Sequence, residues 1–516
     1  MTESAIPEAL RIVGIIAASA LAAGAVLAPS PRARAAAMLG ALVLTPVLLV
    51  GEIWNTPQLA TIRDRPSLAL LGAVVCLAAI AALALAMTRW PALTAVLALA
   101  ALPFRIPVEA GGSTANLLVP LYVVIGAGAL AWAWPRLRNP DRFTPQRSNG
   151  ALEWLLVGLV VLYALQSAYS DDSAKALEQV VFFYVPFALL FAVLRDLEWT
   201  DRRLRAGHVL LGLALVFTAI GFWEYQAREL LLNPKVIASN QVEEYFRVNS
   251  LFFDPNIYGR FLALVMIGVA GVLLWSGFKR DTYVAAGVLA VLWGGLLLTL
   301  SQSSFAALLA GLAVLALLRF GWLVVAPIVV VAGLAAVILV VAFPHTLRVD
   351  LGSSESLDKA TSGRYDLING GLSLGRERPV AGWGSGSFER QFRRHERTSI
   401  ERAQSASHTI PITVFAEQGA IGLLAYLALL VAALARLLSG ASRQPARAVL
   451  AAGFVALVVH TWMYAAFLED PVTWTLLGIG TALAAAGPPL TVTRGPGAGA
   501  AAPQQPAPPV PAPAKT

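Results

Sequence analysis

Apolar runs long enough to cross a bilayer recur from one end of this chain to the other, and that recurrence leaves few folds open. A spanning helix needs roughly 17–25 apolar residues, because each residue rises only about 1.5 Å. About fifteen segments fit or nearly fit, at 10–28, 36–54, 67–87, 91–104, 116–134, 151–169, 177–194, 206–226, 256–276, 282–300, 302–319, 321–343, 411–435, 447–467 and 472–488. The fourth is short, and 282–319 also reads as one broken span. In lipid the backbone must satisfy its own hydrogen bonds, which leaves helices or a closed barrel. A barrel would show alternating segments of about ten residues, and these runs are continuous. The expected fold is an all-α polytopic membrane protein with about 12–15 transmembrane helices and one large non-cytoplasmic loop.

Composition agrees. Of 516 residues, 58% are hydrophobic and 13% charged, where a soluble domain carries about 25% charge. The net charge of +8 comes mostly from arginines at membrane boundaries, so it does not argue for nucleic acid. Cys76 is the single cysteine, which excludes a disulfide within the chain. The first residues, MTESAIPEALR, are acidic where a secretory signal is basic. Heavy use of Ala, Gly, Pro and Arg hints at a GC-rich bacterial genome.

Every second connection is short and basic: Arg32 and Arg34; Arg89; Arg136, Arg138, Arg142 and Arg147; Arg195, Arg202, Arg203 and Arg205; Lys279 and Arg280; Arg319; Arg436, Arg443 and Arg447. The positive-inside rule makes these cytoplasmic. The N-terminus and the long 344–410 connection then lie on the opposite side. The chain divides into N-terminal spans (1–205), central spans with an outer Arg/Asn-rich turn (206–343), the large loop (344–410), C-terminal spans (411–488) and a Pro/Ala-rich tail (489–516). That tail has no apolar content to bury and is expected to be disordered and cytoplasmic.

Ionisable residues within spans are costly and point to function. Here Glu52, Glu224, Glu417 and Glu469 fall near the non-cytoplasmic ends, His460 lies about two turns in from that end, and Arg247 and Arg260 flank the start of the ninth span. Singly, each also reads as an ordinary interface residue. Jointly they place a polar site at the outer leaflet rather than at the midplane expected of an ion-coupled transporter.

The 344–410 loop holds the densest chemistry. Arg364 opens RYDLINGGLSL, where Tyr365, Ile368 and Leu372 recur at helical spacing. This predicts a short amphipathic helix with Arg364 near its start. A guanidinium suits phosphate or pyrophosphate through its planar fork of donors; it also suits a salt bridge to Asp358 or Asp366. Gly382, Gly384 and Gly386 form a glycine-rich turn, which either lets backbone N–H groups meet an anion or simply holds the loop. His408 closes the loop and can accept a proton from a hydroxyl near neutral pH. His345 and His395 are its rivals, and His395 sits in a charge run, RRHER. Asp254-Pro255-Asn256 is a helix-start signal that carries Arg247 and Arg260 toward the same face.

Together these motifs resemble the O-antigen ligase and O-antigen polymerase superfamily, over roughly residues 210–480. The pattern is Arg364…Pro379-x-x-Gly382-x-Gly384…His408-x8-Glu417-x-Gly419, preceded in order by Arg247…Phe253-Asp254-Pro255-Asn256 and by Leu298-Thr299-Leu300-Ser301-Gln302-Ser303. The resemblance implies a multi-pass glycosyltransferase of the bacterial cytoplasmic (inner) membrane. It would move a glycan from undecaprenyl pyrophosphate to an acceptor hydroxyl on a glycan, lipid or protein, with no nucleotide sugar, metal or other cofactor. His408 corresponds to the candidate base and Arg364 to a pyrophosphate-binding arginine. Arg247, Arg260, Gln302, Gly384 and Glu417 are the candidate substrate-binding residues. Family members often carry Thr-x-Ser-Arg where this chain has Thr299-Leu300-Ser301-Gln302. Gln302 supplies no charge, so either Arg247 or Arg260 covers that contact or the grip is weaker. The rival readings are a flippase or transporter of lipid-linked sugars and a noncatalytic protein of envelope assembly. Ligase and polymerase share a donor, and the sequence does not separate them.

Overall fold

A computed structural model describes residues 6–55, 60–110, 113–143, 149–232, 240, 245–275, 279–342, 364–396, 407, 409–464 and 466–486. All fifteen apolar segments are helical. They form α1 (Glu8–Leu27), α2 (Pro31–Ile53), α3 (Pro66–Arg89), α4 (Pro91–Ala101), α5 (Val119–Arg138), α6 (Ala151–Gln166), the pair α7 (Ser173–Gln179) and α8 (Val185–Asp196), α9 (Gly207–Ala227), α10 (Pro255–Trp275), α11 (Lys279–Thr299), α12 (Gln302–Phe320) and α13 (Trp322–Ala342). After the loop helices α14 (Arg364–Glu377) and α15 (Phe388–Glu396) come α16 (Ile410–Leu438), α17 (Pro445–Met463) and α18 (Pro471–Ala486).

Eleven helices among the described residues are long and apolar enough to cross a membrane; three shorter apolar ones, Pro91–Ala101, Trp322–Ala335 and Pro471–Ala486, bring the number into the expected range. The 282–319 region is two helices, α11 and α12, not one broken span. Leu300 turns the chain with φ +50°, and Ser301 caps α12 by accepting from the Ser304 N–H. Two local features depart from plain α-helix. β1 (Ile106–Ala110) pairs antiparallel with β2 (Ser113–Leu117) between α4 and α5, and a π-turn over Val180–Tyr184 joins α7 to α8.

The bundle has two apolar cores. One holds residues from α1, α2, α5, α6, α8, α16 and α18; the other holds residues from α9, α10, α11 and α12. α17 belongs to both. Ala451, Phe454 and Val458 face the first core, while Ala448, Ala452 and Ala456 face the second. The alanine stripe at a four-residue interval lets α12 lie close along α17, as small residues do between membrane helices. A Cβ at Gly311 of α12 would come within 2.2 Å of Ile267 and 3.2 Å of Ala456, so α10, α12 and α17 meet there.

The basic helix ends gather on one face. Asp196 ends α8 and takes Arg34 at 3.1 Å, Arg195 at 3.3 Å and Arg136 at 3.5 Å. The Trp132 indole N–H donates to it, and the Arg136 guanidinium lies 4.0 Å over the same ring. Glu153 pairs with Arg195 at 3.6 Å. Five charges from α2, α5, α6 and α8 are thus gathered in one buried knot. Removing one partner of a buried pair typically costs about 3–5 kcal/mol, because the other charge is left stranded. Asp196→Ala removes the carboxylate that Arg34, Arg136 and Arg195 share, only Arg195 keeping Glu153, and is expected to lower thermal stability in detergent by that order; an unchanged melting temperature would show that the knot holds nothing.

Candidate functional site

The face opposite that knot carries α14, α15 and the polar groups expected at one end of the membrane. Two constellations occupy it.

The first is a clasp around the start of α16. Gly419 breaks helical geometry there with φ +65° and ψ −162°. The freed backbone is taken up by the glycine-rich turn: Trp383 N–H donates to Ala416 O at 3.1 Å, Gly384 N–H to Glu417 O at 2.8 Å, and Ala420 N–H to Pro379 O at 2.7 Å. The Glu417 carboxylate accepts from Gly386 N–H at 3.0 Å and Phe388 N–H at 3.1 Å. A Cβ at Gly382 would sit 2.3 Å from the Glu417 carbonyl, and one at Gly384 would sit 2.5 Å from the Ser170 Cα. Both have positive φ. The spacing Pro379-x-x-Gly-x-Gly…Glu417-x-Gly419 therefore encodes a backbone-to-backbone lock. The Ser385 hydroxyl extends it to Tyr163 O of α6, and the Tyr169 hydroxyl to Ala381 O.

Helix α14 begins at Arg364, as the sequence predicts. Leu367, Gly371, Leu374 and Gly375 are buried on it, while Ile368 and Leu372 are half-buried. The glycines decide this, since a Cβ at Gly371 would lie 2.6 Å from Ile412 and one at Gly375 2.3 Å from Phe415. Only a glycine face lets α16 approach so closely. His395 at the end of α15 bonds Glu377 at 3.0 Å. His345 and His408 lie outside the described residues.

The second constellation surrounds the start of α10. Arg247 donates to Thr299 O at 2.9 Å and to the Asn256 side chain at 3.2 Å. Buried Glu224 braces the turn before it, accepting from Ser250 N–H at 2.7 Å and Asn249 N–H at 3.2 Å. Asn256 O accepts from the Ser304 hydroxyl at 3.2 Å, which in turn meets Ser301 at 2.8 Å. Ser303 lies 3.3 Å from His460 Nε2. The Tyr464 hydroxyl donates to Asp254 at 2.7 Å. Arg247, Asn256, the Thr299–Ser304 run and His460 are thus one connected polar network. Gln302 is exposed at the first turn of α12.

Arg260 lies about one turn further into α10 and forms a buried ion pair with Asp470, the residue before α18. Beside this pair the bundle encloses a cavity of about 770 Å³. Arg105, Arg260 and Asp470 line one end, His208 of α9 and Asp281 of α11 also line the cavity, and mostly apolar side chains of α9, α10, α11, α17 and α18 line the rest. Lining residues on α10 run from Ile257 to Val272, about 22 Å along the helix at 1.5 Å per residue.

Arg105, Asp470 and Tyr464 carry no signal in the sequence. Arg105 stands alone before the β1–β2 hairpin, and a single arginine at a span end carries no spacing signal. Burial lowers the Arg105 pKa; Asp470 offsets part of that and Arg260 adds to it. Burial raises the pKa of Glu469 even though the Tyr184 hydroxyl donates to it at 3.0 Å. Tyr184 also packs edge-on against Tyr163, whose carbonyl accepts from the Ser385 hydroxyl of the clasp. Among the described residues, no group of three His, Cys, Asp or Glu side chains could hold a metal.

Residues 285–427 match the family model described as O-antigen ligase. The stretch begins within α11 and ends within α16, so it holds the Thr299–Ser304 run, α14, the glycine-rich turn, His408 and the clasp. The resemblance to the O-antigen ligase superfamily carried by the motif order is borne out over these residues. A comparison with curated proteins gives no match.

The lock around Glu417 yields a stability test. Glu417→Ala leaves two buried N–H groups without an acceptor, at about 1–3 kcal/mol each. Glu417→Gln keeps an acceptor oxygen and should lose clearly less. Equal stability of wild type and both variants, measured by thermal unfolding in detergent, would mean that the carboxylate does not hold the turn.

Proposed function

We propose, from the O-antigen ligase match and the cavity beside Arg260, that this chain is a membrane glycosyltransferase that moves a glycan from undecaprenyl pyrophosphate to an acceptor hydroxyl on the outer face of the cytoplasmic membrane. The observation that carries the reading is the cavity: a long apolar channel ending in arginines suits a polyprenyl tail with a pyrophosphate head. Charge-assisted hydrogen bonds from a guanidinium to phosphate are each worth roughly 1.5–3 kcal/mol. Arg260 borders the cavity, Arg247 lies in the polar network at the same end of α10, and Arg364 begins the loop helix on that face.

In this reaction the acceptor oxygen attacks the anomeric carbon of the donor sugar. The bond from that carbon to the pyrophosphate oxygen breaks, and undecaprenyl pyrophosphate leaves. His408 takes the acceptor proton, and Arg364 with Arg260 holds the leaving pyrophosphate. The clasp at Glu417 fixes the α16 start, a few residues past His408, against α6. The Thr299 carbonyl and the Asn256 side chain orient the Arg247 guanidinium.

Purified protein in liposomes, supplied with a lipid-linked glycan and candidate acceptors, tests the proposal. Glycan joined to acceptor, with release of undecaprenyl pyrophosphate, is the expected result. General-base assistance is worth about 10²–10⁴-fold, so His408→Ala should lose transfer by that factor while still binding donor. His395→Ala should be nearly silent, because its imidazole is held by Glu377. Movement of intact donor across the bilayer with no new glycosidic bond would point to a flippase instead. Wild-type transfer by His408→Ala would remove that residue from the mechanism.

A further inference from the structure

Asp470 sits where an anionic ligand of the cavity would sit. It is buried, pairs with Arg260 through one carboxylate oxygen, and caps α18 by accepting the Val472 N–H at 2.8 Å with the other. Arg260 is 95% buried, and its Nη1 has no hydrogen-bond partner. The donor is thus inside the protein, at the cavity wall, with a free valence. Arg105 lines the same end of the cavity and comes from a different part of the chain, the turn between α4 and the β1–β2 hairpin. It is far in sequence from the 285–427 family match. Two guanidinium groups therefore line the same end of the cavity, and Asp470 pairs with one of them, Arg260.

We propose that Arg105 is a second headgroup-binding arginine, that with Arg260 it receives the phosphate of a lipid seated in the cavity, and that Asp470 occupies the Arg260 donor until the lipid arrives. This rests on the reading of the cavity as the seat of a polyprenyl pyrophosphate. It adds a residue from the N-terminal spans to the site and assigns Asp470 the role of a competing anion. Two arginines and one carboxylate at this end of the cavity leave one positive charge, and the unpartnered Nη1 of Arg260 is the point at which a phosphate oxygen begins to displace Asp470. Because Arg105 precedes the hairpin, the loop between α4 and α5 becomes part of the headgroup site rather than a passive connection.

The test uses the full-length protein in detergent and measures binding of undecaprenyl pyrophosphate and of undecaprenol, which has the same tail and no phosphate, by native mass spectrometry. Arg105→Gln should weaken undecaprenyl pyrophosphate binding by about tenfold, the loss of one charge-assisted contact, and leave undecaprenol unchanged. Arg105→Lys should recover most of the affinity. Asp470→Asn retains a cap for α18 and removes the competing charge, so it should bind the pyrophosphate lipid more tightly than wild type. Wild-type affinity in Arg105→Gln overturns the proposal. So does an equal loss of both lipids in Arg105→Gln and Arg105→Lys, which would mark Arg105 as structural. Weaker pyrophosphate binding in Asp470→Asn overturns the competing-anion role. Transfer of glycan is not read in this experiment, so a protein that binds the lipid and transfers nothing would contradict the proposed function and leave the Arg105 site standing.

Discussion

An arginine buried among membrane helices must be paired, and the pairing of Arg260 with Asp470 fixes how the two halves of this bundle meet. The penalty for an unpaired charge in an apolar interior is several kcal/mol. The pair ties the start of α10, in one core, to the start of α18, in the other. α17 runs between the cores and presents alanines to one and larger side chains to the other. The space left between α9, α10, α11, α17 and α18 is the cavity. Its position is thus a consequence of the ion pair above it and the small-residue seam beside it.

Polar groups on the two faces are arranged differently. On one face, Asp196 and Glu153 hold three arginines within one buried knot. On the other, two carboxylates hold backbone: Glu417 the glycine-rich turn and Glu224 the turn after Arg247. Arg11 there pairs with Glu52 and Arg394 with Asp171, whereas Arg247 meets a carbonyl and an amide, and Arg260, paired with Asp470, keeps an unpartnered donor at the cavity wall. That donor is the physical ground for looking for chemistry at the loop face.

Much of the architecture was legible because lipid demands long apolar runs, and each of the fifteen segments became a helix. The clustering of Arg247, Arg260, Glu224, Glu417 and His460 toward one face was legible too, since charge in spans is rare enough for its position to be read. Side-chain partners were not. Glu417 looked like a candidate for substrate, yet both its oxygens accept loop N–H groups; only the fold brings residues 386 and 388 to residue 417. The α14 helix was legible from the spacing of Tyr365, Ile368 and Leu372, but not its close approach to α16, which is set by Gly371 and Gly375. Arg105 and Asp470 were invisible as neighbours, being more than three hundred residues apart and brought to one cavity only by the fold.

The central claim is that the cavity beneath Arg260 seats the tail of a lipid-linked donor. A polyprenyl pyrophosphate carrying a photoactivatable group in its tail, irradiated with the protein in liposomes and mapped by peptide mass spectrometry, tests this directly. Labels at cavity residues such as Leu211, Val265 and Val288, competed away by unlabelled undecaprenyl pyrophosphate, are the expected result. Labels confined to the outward faces of α3 and α13, at positions such as Val75 and Val330, would show that the lipid stays in the surrounding bilayer and would contradict the claim.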